Sequence, residues 1–297
     1  MSGGRSIGAQ RQMQAIAQSQ PETGPWLALI DAAITEAENP IWDEIATGIT
    51  PPPDQPALAP ILSEATLPIA SERAANWVQR FLTLASQAGP EGEPLGEADR
   101  IAQLDVHDYL EAAINQDSSR LSGLAISLGV SADTLGALGQ LLVMPLLHAA
   151  RRRFVHVVPT DRGAGYCPIC GAWPALAETR GLERARRLRC SRCGGDWGMA
   201  AFRCPYCAND DHRTQGSLFA EGESETRRAE TCNACHGYLK SIATLRPYAS
   251  DEVTLADLAS IDLDLAAIER GFARPEAPAL ALAVTLRDET VTASPPA

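Results

Sequence analysis

Lysine is almost absent from this chain of 297 residues, because Lys240 is its single lysine and arginine supplies every other basic side chain. Also missing are a P-loop, a nucleophile elbow, a dinucleotide-binding glycine run and the helix motif of metalloproteases. These absences exclude the enzyme classes that depend on such motifs. The four scattered histidines His107, His148, His156 and His212 show no ligand spacing either. We therefore expect a protein that is not an enzyme.

Long hydrophobic runs are lacking too. The most apolar stretch, residues 135–150, is too short for a bilayer and contains Gln140 and His148, so we interpret it as a buried helix. The first twenty residues have no continuous apolar stretch after their basic residues and are not typical of a secretory signal. The sequence thus predicts a cytoplasmic protein without a membrane span, in a compartment that keeps thiols reduced.

What the chain does have is paired cysteine. All eight cysteines lie in four Cys-x-x-Cys pairs, which are Cys167/Cys170, Cys190/Cys193, Cys204/Cys207 and Cys232/Cys235. Two thiolates in one tight turn can bind one metal ion, and two such turns complete a tetrahedral shell. The sequence therefore predicts two Cys₄ metal sites with these eight ligands. Free redox thiols, or haem attachment at the Cys232-x-x-Cys235-His236 pattern, are the alternatives.

The way in which the pairs combine is less constrained. Sequential closure leaves internal loops of 19 and 24 residues, whereas interleaving leaves 33 and 38. The loop-closure entropies differ by only about 1 kcal/mol. We favour sequential closure because each site then forms a compact ribbon. Residues suited to a sharp turn follow each pair: Gly171, Gly194, Ala208 with Asn209, and Gly237 one place later.

The fold class that the pattern predicts is α+β, with an irregular α-helical domain followed by two small rubredoxin-like or zinc-ribbon metal modules. Apolar residues recur at helical spacing over 25–38 and 71–88, and a further helix is expected over 131–152, with Ser131 as N-cap and a bend at Pro145. After Arg153, short extended pieces such as 154–159 alternate with turns. The predicted division is 1–153 for the helical domain, 154–200 and 201–249 for the two modules, and 250–297 for a C-terminal helix and strand tail.

Charge is unevenly distributed along the chain. Its formal net charge is −12, yet residues 151–249 hold 16 of the 25 basic and only 10 of the 37 acidic residues. Two divalent ions, each held by four thiolates, would add −4 and lower this local excess to about +2. A nucleic-acid ligand is therefore not expected. A ribbon protein that binds nucleic acid stays the alternative on account of the arginines Arg184, Arg186, Arg187, Arg189 and Arg192.

Three residues near the cysteine pairs are candidates for contact with a partner protein. Trp173 follows the first pair, and Tyr238 and Lys240 follow the last one. An isolated lysine beside a thiolate cluster either donates to a sulfur or carbonyl or contacts a partner. The alternative for the tryptophan is a place in the core of its ribbon.

The cysteine motifs also carry a resemblance. The order Cys-Pro-Ile-Cys-Gly-Ala-Trp-Pro (167–174), Arg-Cys-Ser-Arg-Cys-Gly-Gly-Asp-Trp (189–197), Arg-Cys-Pro-Tyr-Cys (203–207) and Cys-Asn-Ala-Cys-His-Gly-Tyr-Leu-Lys (232–240) resembles the formate dehydrogenase accessory proteins of the FdhE family. The likeness is close over the metal modules and looser over the helical half. Ala208 departs from it, since glycine would suit that turn better.

The resemblance implies a cytoplasmic assembly factor for respiratory formate dehydrogenase that binds the catalytic subunit before its export. It also implies that the eight cysteines are metal ligands. Iron is the favoured metal and zinc the other candidate, since Cys₄ shells suit both. A homodimer is compatible with this reading, and a thiol chaperone is an alternative to it.

Overall fold

The computed structural model describes residues 5–97, 101–159, 162–219 and 226–288, so residues 289–297 of the predicted tail lie outside it. Within these ranges the helices are α1 (Ile7–Ser19), α2 (Gly24–Ala37), α3 (Ile41–Thr47), α4 (Ser71–Ser86), α5 (Val106–Asn115), α6 (Ser118–Leu128), α7 (Ala132–Leu142), α8 (Met144–Phe154), α9 (Val253–Leu258) and α10 (Ile261–Glu269). The strands are β1 (Thr66–Pro68), β2 (Leu176–Arg180), β3 (Ala185–Arg189), β4 (Asp196–Gly198), β5 (Gln215–Leu218), β6 (Arg227–Cys232), β7 (Gly237–Thr244) and β8 (Thr285–Arg287). The predicted α+β class, with a helical N-terminal region, is confirmed.

Helices α1 to α8 form the N-terminal part of the protein. The predicted amphipathic helix over 71–88 is α4, which buries Trp77 and Phe81 against the other helices. Ser131 caps α7 as expected, since its hydroxyl accepts a hydrogen bond from the backbone N–H of Thr134 at 3.0 Å. The predicted bend near Pro145 is a complete break. Helix α7 ends at Leu142, and α8 begins with Pro145 in its first turn, where the missing N–H costs nothing.

Most of the apolar stretch 135–150 is buried, as the sequence predicts, and Ala137 is its exposed residue. Every residue from Met144 to Ala150 lies inside the protein. In the part of the chain that the structure describes, no single helix is long and apolar enough to cross a membrane. One combination passes that test jointly by length and composition: α6 (Ser118–Leu128) with the stretch Ala132–Phe154 that contains α7 and α8, at a bend of 110°.

A six-stranded sheet carries the cysteine pairs, in the order β4-β3-β2-β7-β6-β5. Strands β2, β3 and β4 come from the segment predicted as the first module, and β5, β6 and β7 from the second. Neighbours within each group are antiparallel, whereas β2 and β7 pair in parallel from Leu176 opposite Lys240 to Arg180 opposite Thr244. This one parallel pairing joins the two groups into a single sheet.

The segment after the sheet ties it to the helical part. Helices α9 and α10 follow strand β7. After them, β8 pairs in parallel with β1, with Leu286 opposite Leu67. The strand expected in the tail 250–297 is thus present as the short strand β8. The predicted extended piece 154–159 is wrong, because Phe154 ends helix α8 and turns follow it.

Candidate metal centres

Each cysteine pair lies in a turn that its own backbone hydrogen bonds close. In the first turn the N–H of Gly171 donates to the carbonyl of Cys167 at 2.9 Å, and the N–H of Cys167 donates to the carbonyl of Ala172 at 2.8 Å. The turns that begin at Cys190 and Cys204 repeat this pattern at 2.8 to 3.0 Å. The local backbone thus holds both sulfurs of a pair on one side of the turn.

The residue after the second cysteine of every pair adopts a left-handed backbone conformation. Gly171 and Gly194 have φ of 65° and 69°, and Ala208 and His236 have φ of 59° and 55°. The expectation that Gly237 serves this role in the last turn is therefore wrong, because His236 occupies the equivalent place. A residue with a Cβ pays roughly 1 kcal/mol for this conformation. The last two turns are accordingly strained where the first two are not.

The first centre forms where the first and second turns meet. The Sγ of Cys167 lies 3.4 Å from that of Cys193, and the Sγ of Cys170 lies 3.5 Å from that of Cys190 and 3.7 Å from that of Cys193. Cys204, Cys207, Cys232 and Cys235 form the second centre, with Sγ distances of 3.7 Å between Cys204 and Cys235 and 3.8 Å between Cys207 and Cys232. The pairs thus combine sequentially, as predicted.

These distances fit a bound metal ion. A tetrahedral shell with metal–sulfur bonds of about 2.3 Å has sulfur–sulfur edges of about 3.8 Å. In each centre all four ligand atoms lie within 4.8 Å of one another. The donor set is four sulfurs in both cases, which zinc and iron accept equally. Each group of four could hold one ion, and its geometry does not distinguish the two metals.

Charge also favours a cation in each centre. Burial raises the pKa of Cys167 and of Cys204, because a thiolate without a counter-charge loses its hydration there. The neighbouring cysteine thiols act in the opposite direction on Cys170 and lower its pKa by donating hydrogen bonds to it. Four contacting sulfurs can share one such negative charge among themselves, but full ionisation of all four requires a metal ion.

Backbone N–H groups point at sulfur in the second centre. The Cys207 and Tyr206 amides donate to the sulfur of Cys204, and the Cys235 and Ala234 amides donate to that of Cys232. The side-chain amide of Gln215 adds a longer contact to Cys232 Sγ, at 3.7 Å. Such donors stabilise thiolate and orient it toward a metal. Gln215 lies in β5, far from any cysteine pair in spacing, and no sequence signal marks it.

The two centres differ sharply in exposure. All four cysteines of the first centre are completely buried, and they belong to the same hydrophobic core as helices α4 and α8. In the second centre Cys204 and Cys232 are buried, whereas Cys207 and Cys235 are exposed. The first centre is thus part of the protein interior, and the second lies at its surface.

Arg192, inside the second turn, fastens the first centre to the helical part. It is 6% exposed and donates to the carbonyls of Ala113, at 2.7 Å, and Ile114, at 3.3 Å, near the end of α5. A cation at a helix C-terminus is favourable because it meets the negative end of the helix dipole. This role of Arg192 was not predicted, because the residue was grouped with a basic surface.

The other arginines of that group are largely occupied within the protein. Arg186 pairs with Glu230 at 2.8 Å, Arg187 pairs with Asp196 at 2.6 Å, and the buried Arg189 pairs with Glu178. Only Arg184 is exposed. The charge that motivated a nucleic-acid interface is thereby mostly neutralised by intramolecular ion pairs.

Of the three predicted partner contacts, the structure leaves only Trp173 partly exposed. Its indole N–H donates to the carbonyl of Ala277 at 3.0 Å, and its ring packs edge-on against Tyr206. Tyr238 is 3% exposed and Lys240 is completely buried. The latter two are therefore placed inside the protein, where they cannot reach a partner in this conformation.

Lys240 instead holds a buried ion cluster together. Its ammonium lies 2.7 Å from carboxylate oxygens of both Asp257 and Asp264, and Arg274 pairs with the same two residues at 2.8 and 2.9 Å. Burial raises the pKa of Asp257, but the charges of Arg274 and Lys240 outweigh it and hold this pKa below its ordinary value. The cluster joins β7 to α9 and α10.

Comparison with known proteins gives matches to FdhE proteins. The FdhE C-terminal domain family matches residues 188–281. A protein FdhE homolog of Aquifex aeolicus (strain VF5) is 31% identical over 175 residues, which cover 57% of this chain and 60% of that protein. One of Edwardsiella ictaluri (strain 93-146) is 26% identical over 232 residues, covering 73% of this chain and 71% of that protein.

A further relative and a solved structure show how much of each protein aligns with this chain. Against a protein FdhE homolog of Haemophilus influenzae (strain PittEE), 36% identical, the alignment spans only 36% of that protein, so this chain covers less than two thirds of the length of some curated relatives. The crystal structure of the FdhE protein from Pseudomonas aeruginosa has a TM-score of 0.54 at 19% identity, covering 93% of this chain and 94% of that one. That likeness concerns the fold alone.

Proposed function

Because this chain belongs to the FdhE family, we propose that it is an accessory protein in the assembly of formate dehydrogenase. It acts in the cytoplasm, binds the catalytic subunit before export, and performs no catalysis of its own. The observation that carries the proposal is the pair of tetracysteine centres, built on one sheet and fastened to a helical body. Six of the eight cysteines, all but Cys167 and Cys170, lie in the region that matches the FdhE C-terminal domain.

The centres organise the part of the protein that meets the client. Strands of three to eight residues form the sheet, and it buries little apolar surface apart from the first centre. A metal ion in each group of cysteines supplies a cross-link that so small a core cannot replace. We therefore expect loss of a centre to unfold its half of the sheet and the surface it presents.

Iron is the metal that we propose for both centres. The turn Cys167-Pro168-Ile169-Cys170-Gly171, of the kind that rubredoxin-like iron sites use, supports this choice. When bound by four thiolates, iron supplies one-electron chemistry, whereas zinc would supply a structural cross-link only. The protein's own residues provide the thiolates, the amide donors and, around the first centre, the exclusion of water.

The function is tested by deleting the gene from its host and measuring formate-dependent dye reduction. Activity should be lost in the deletion strain and restored by the wild-type gene, but not by Cys232→Ser/Cys235→Ser. Ser127→Ala, an exposed substitution in α6 away from the cysteine pairs, serves as the control and should restore activity. Full activity in the deletion strain would refute the accessory role.

The metal is tested separately, on protein purified without oxygen. Elemental analysis should find two iron ions per chain, and the absorption spectrum should show the reddish charge-transfer bands of ferric thiolate. A colourless protein with two zinc ions would overturn the choice of iron and leave a structural role for both centres.

A further inference from the structure

A cleft of about 270 Å³ lies beside the second centre. Strands β3, β5, β6 and β7 and the turn before Cys204 contribute its walls, and Cys204 and Cys232 of the centre line it as well. We call it the arginine cleft, after the three arginines that line it, Arg186, Arg203 and Arg228.

These arginines are only partly neutralised. Among the described residues that line the cleft, Glu230 is the one carboxylate. It accepts from Arg186 at 2.8 Å and from Arg228 at 3.0 Å. Within the described residues the guanidinium of Arg203 has no carboxylate partner, and the Nε atoms of Arg203 and Arg228 are buried without a hydrogen-bond acceptor. The cleft thus has three guanidinium groups for one carboxylate.

The cleft reaches one edge of the sheet. Strand β5 is an edge strand of the described sheet, and its residues Gln215, Gly216 and Ser217 line the cleft. An edge strand offers backbone N–H and C=O groups to which another chain can add a strand. At the rim, Phe202 is 67% exposed and can cover an apolar side chain of such a peptide.

From this charge and this edge we propose that the arginine cleft binds an acidic, extended segment of the client polypeptide, with carboxylates paired to Arg203 and Arg228. Guanidinium groups bind carboxylates with charge-assisted hydrogen bonds, which are stronger than neutral ones. The bound segment would lie directly beside Cys204 and Cys232. The inference rests on the proposed function in one respect, that a client protein exists.

A different explanation of the same arginines gives different results. Four thiolates around a divalent ion carry a charge of −2, and the guanidinium groups could serve only to balance that charge. In that case replacing Arg203 or Arg228 would weaken metal binding, and no acidic peptide would bind. If the cleft accepted nucleic acid instead, an oligonucleotide would outcompete the peptide.

The test uses the full-length, metal-loaded protein and fluorescence anisotropy. One labelled probe is a capped nine-residue peptide that alternates glutamate with valine, and a second carries glutamine in place of every glutamate. The glutamate peptide should bind at least about tenfold more tightly, with an affinity that falls as salt rises. Arg203→Gln and Arg228→Gln should each weaken it about fivefold to tenfold without changing metal content. Arg184→Gln, an exposed arginine away from the cleft, is the matched control and should leave the affinity unchanged.

Three results would overturn the inference. These are equal binding of the two peptides, loss of metal in the arginine variants without any peptide binding, and displacement of the peptide by a short single-stranded DNA at lower concentration. The gene-deletion assay is independent of this experiment. If formate-dependent activity is lost on deletion while the peptide fails to bind, the accessory role stands and only the cleft assignment falls.

Discussion

A metal chelator in excess should empty the second centre long before the first. Chelator or solvent can reach the sulfurs of Cys207 and Cys235 directly, because both residues are exposed. The sulfurs of the first centre are reachable only after the turn 167–171 separates from the helical part. The ratio of the two release rates therefore measures the free energy of that opening.

The structure gives the size of this opening free energy. The N–H groups of Ile61 and Leu62 donate to the carbonyls of Pro168 and Ile169 at 2.9 and 3.1 Å, and the side chain of Ile169 is 2% exposed. Each hydrogen bond contributes about 1 kcal/mol. Returning the isoleucine side chain to water costs about 2 kcal/mol. The opening thus costs about 4 kcal/mol, which corresponds to release about 1,000-fold slower than from the second centre.

The assay follows a zinc-loaded or ferrous protein mixed with a chromogenic chelator under anaerobic conditions. Absorbance should rise in two phases of equal amplitude, one ion each, separated by about three orders of magnitude in rate. The variant Cys232→Ser/Cys235→Ser, which lacks the second centre, should lose the fast phase and keep the slow one.

Two outcomes would refute this reasoning. A single phase that releases both ions would mean that the two centres open together. Persistence of the fast phase in the Cys232→Ser/Cys235→Ser variant would mean that the buried centre is the labile one, so that burial does not control access.

Three further variants test other parts of the structure. Gly195→Ala would place a Cβ 2.9 Å from a sulfur of the first centre, so elemental analysis should find one metal ion per chain. The control is Gly123→Ala, whose Cβ meets nothing within 4 Å and which should keep both metal ions. Ala208→Gly removes a Cβ from a residue with φ of 59° and should raise the free energy of unfolding in urea by about 1 kcal/mol; a decrease would contradict the strain argument. Lys240→Met leaves two partly buried carboxylates short of a cation and should lower that free energy by about 3 kcal/mol at pH 7. Cations outweigh burial at Asp257, so its pKa is depressed and ionised Asp257 stabilises the fold above about pH 4. Wild-type stability should then fall as the pH drops below about 4 toward the lower pKa of Asp257 in the folded protein, and Lys240→Met should make that fall smaller. Identical pH profiles would argue against the ion cluster.

The metal centres were the part of the structure that the sequence predicted best. A Cys-x-x-Cys turn is local, since both ligands and the closing hydrogen bonds lie within six residues, and four such turns leave few ways to combine. The sequential combination was predicted from ribbon size, and the structure has it. The helix caps and breaks at Ser131 and Pro145 were also visible, because they too depend on neighbouring residues.

What the sequence did not reveal depends on pairing over long distances. The parallel ladder between β2 and β7 joins residues more than sixty positions apart, and no short pattern marks it. The roles of Lys240 and Arg192 were missed for the same reason. Their partners, Asp257 and Asp264 for one and the end of α5 for the other, come from elements that follow or precede them by many residues. An isolated charged residue beside a metal-binding turn indicates that the residue has a role, but the sequence does not show which residues it contacts.

The parallel pairing of β2 with β7 also decides which fragments of the protein can fold. A fragment that starts at residue 188, where the family match begins, would lack Cys167, Cys170 and all of β2, the strand that separates β3 from β7. Such a fragment would keep only two of the four ligands of the first centre, and its sheet would lack the strand that joins β3 to β7. Expression of the cysteine-rich region by itself should therefore begin before residue 167. Two separately produced halves should reassemble only if one contains all of β2 and the other all of β7, since these strands pair with each other.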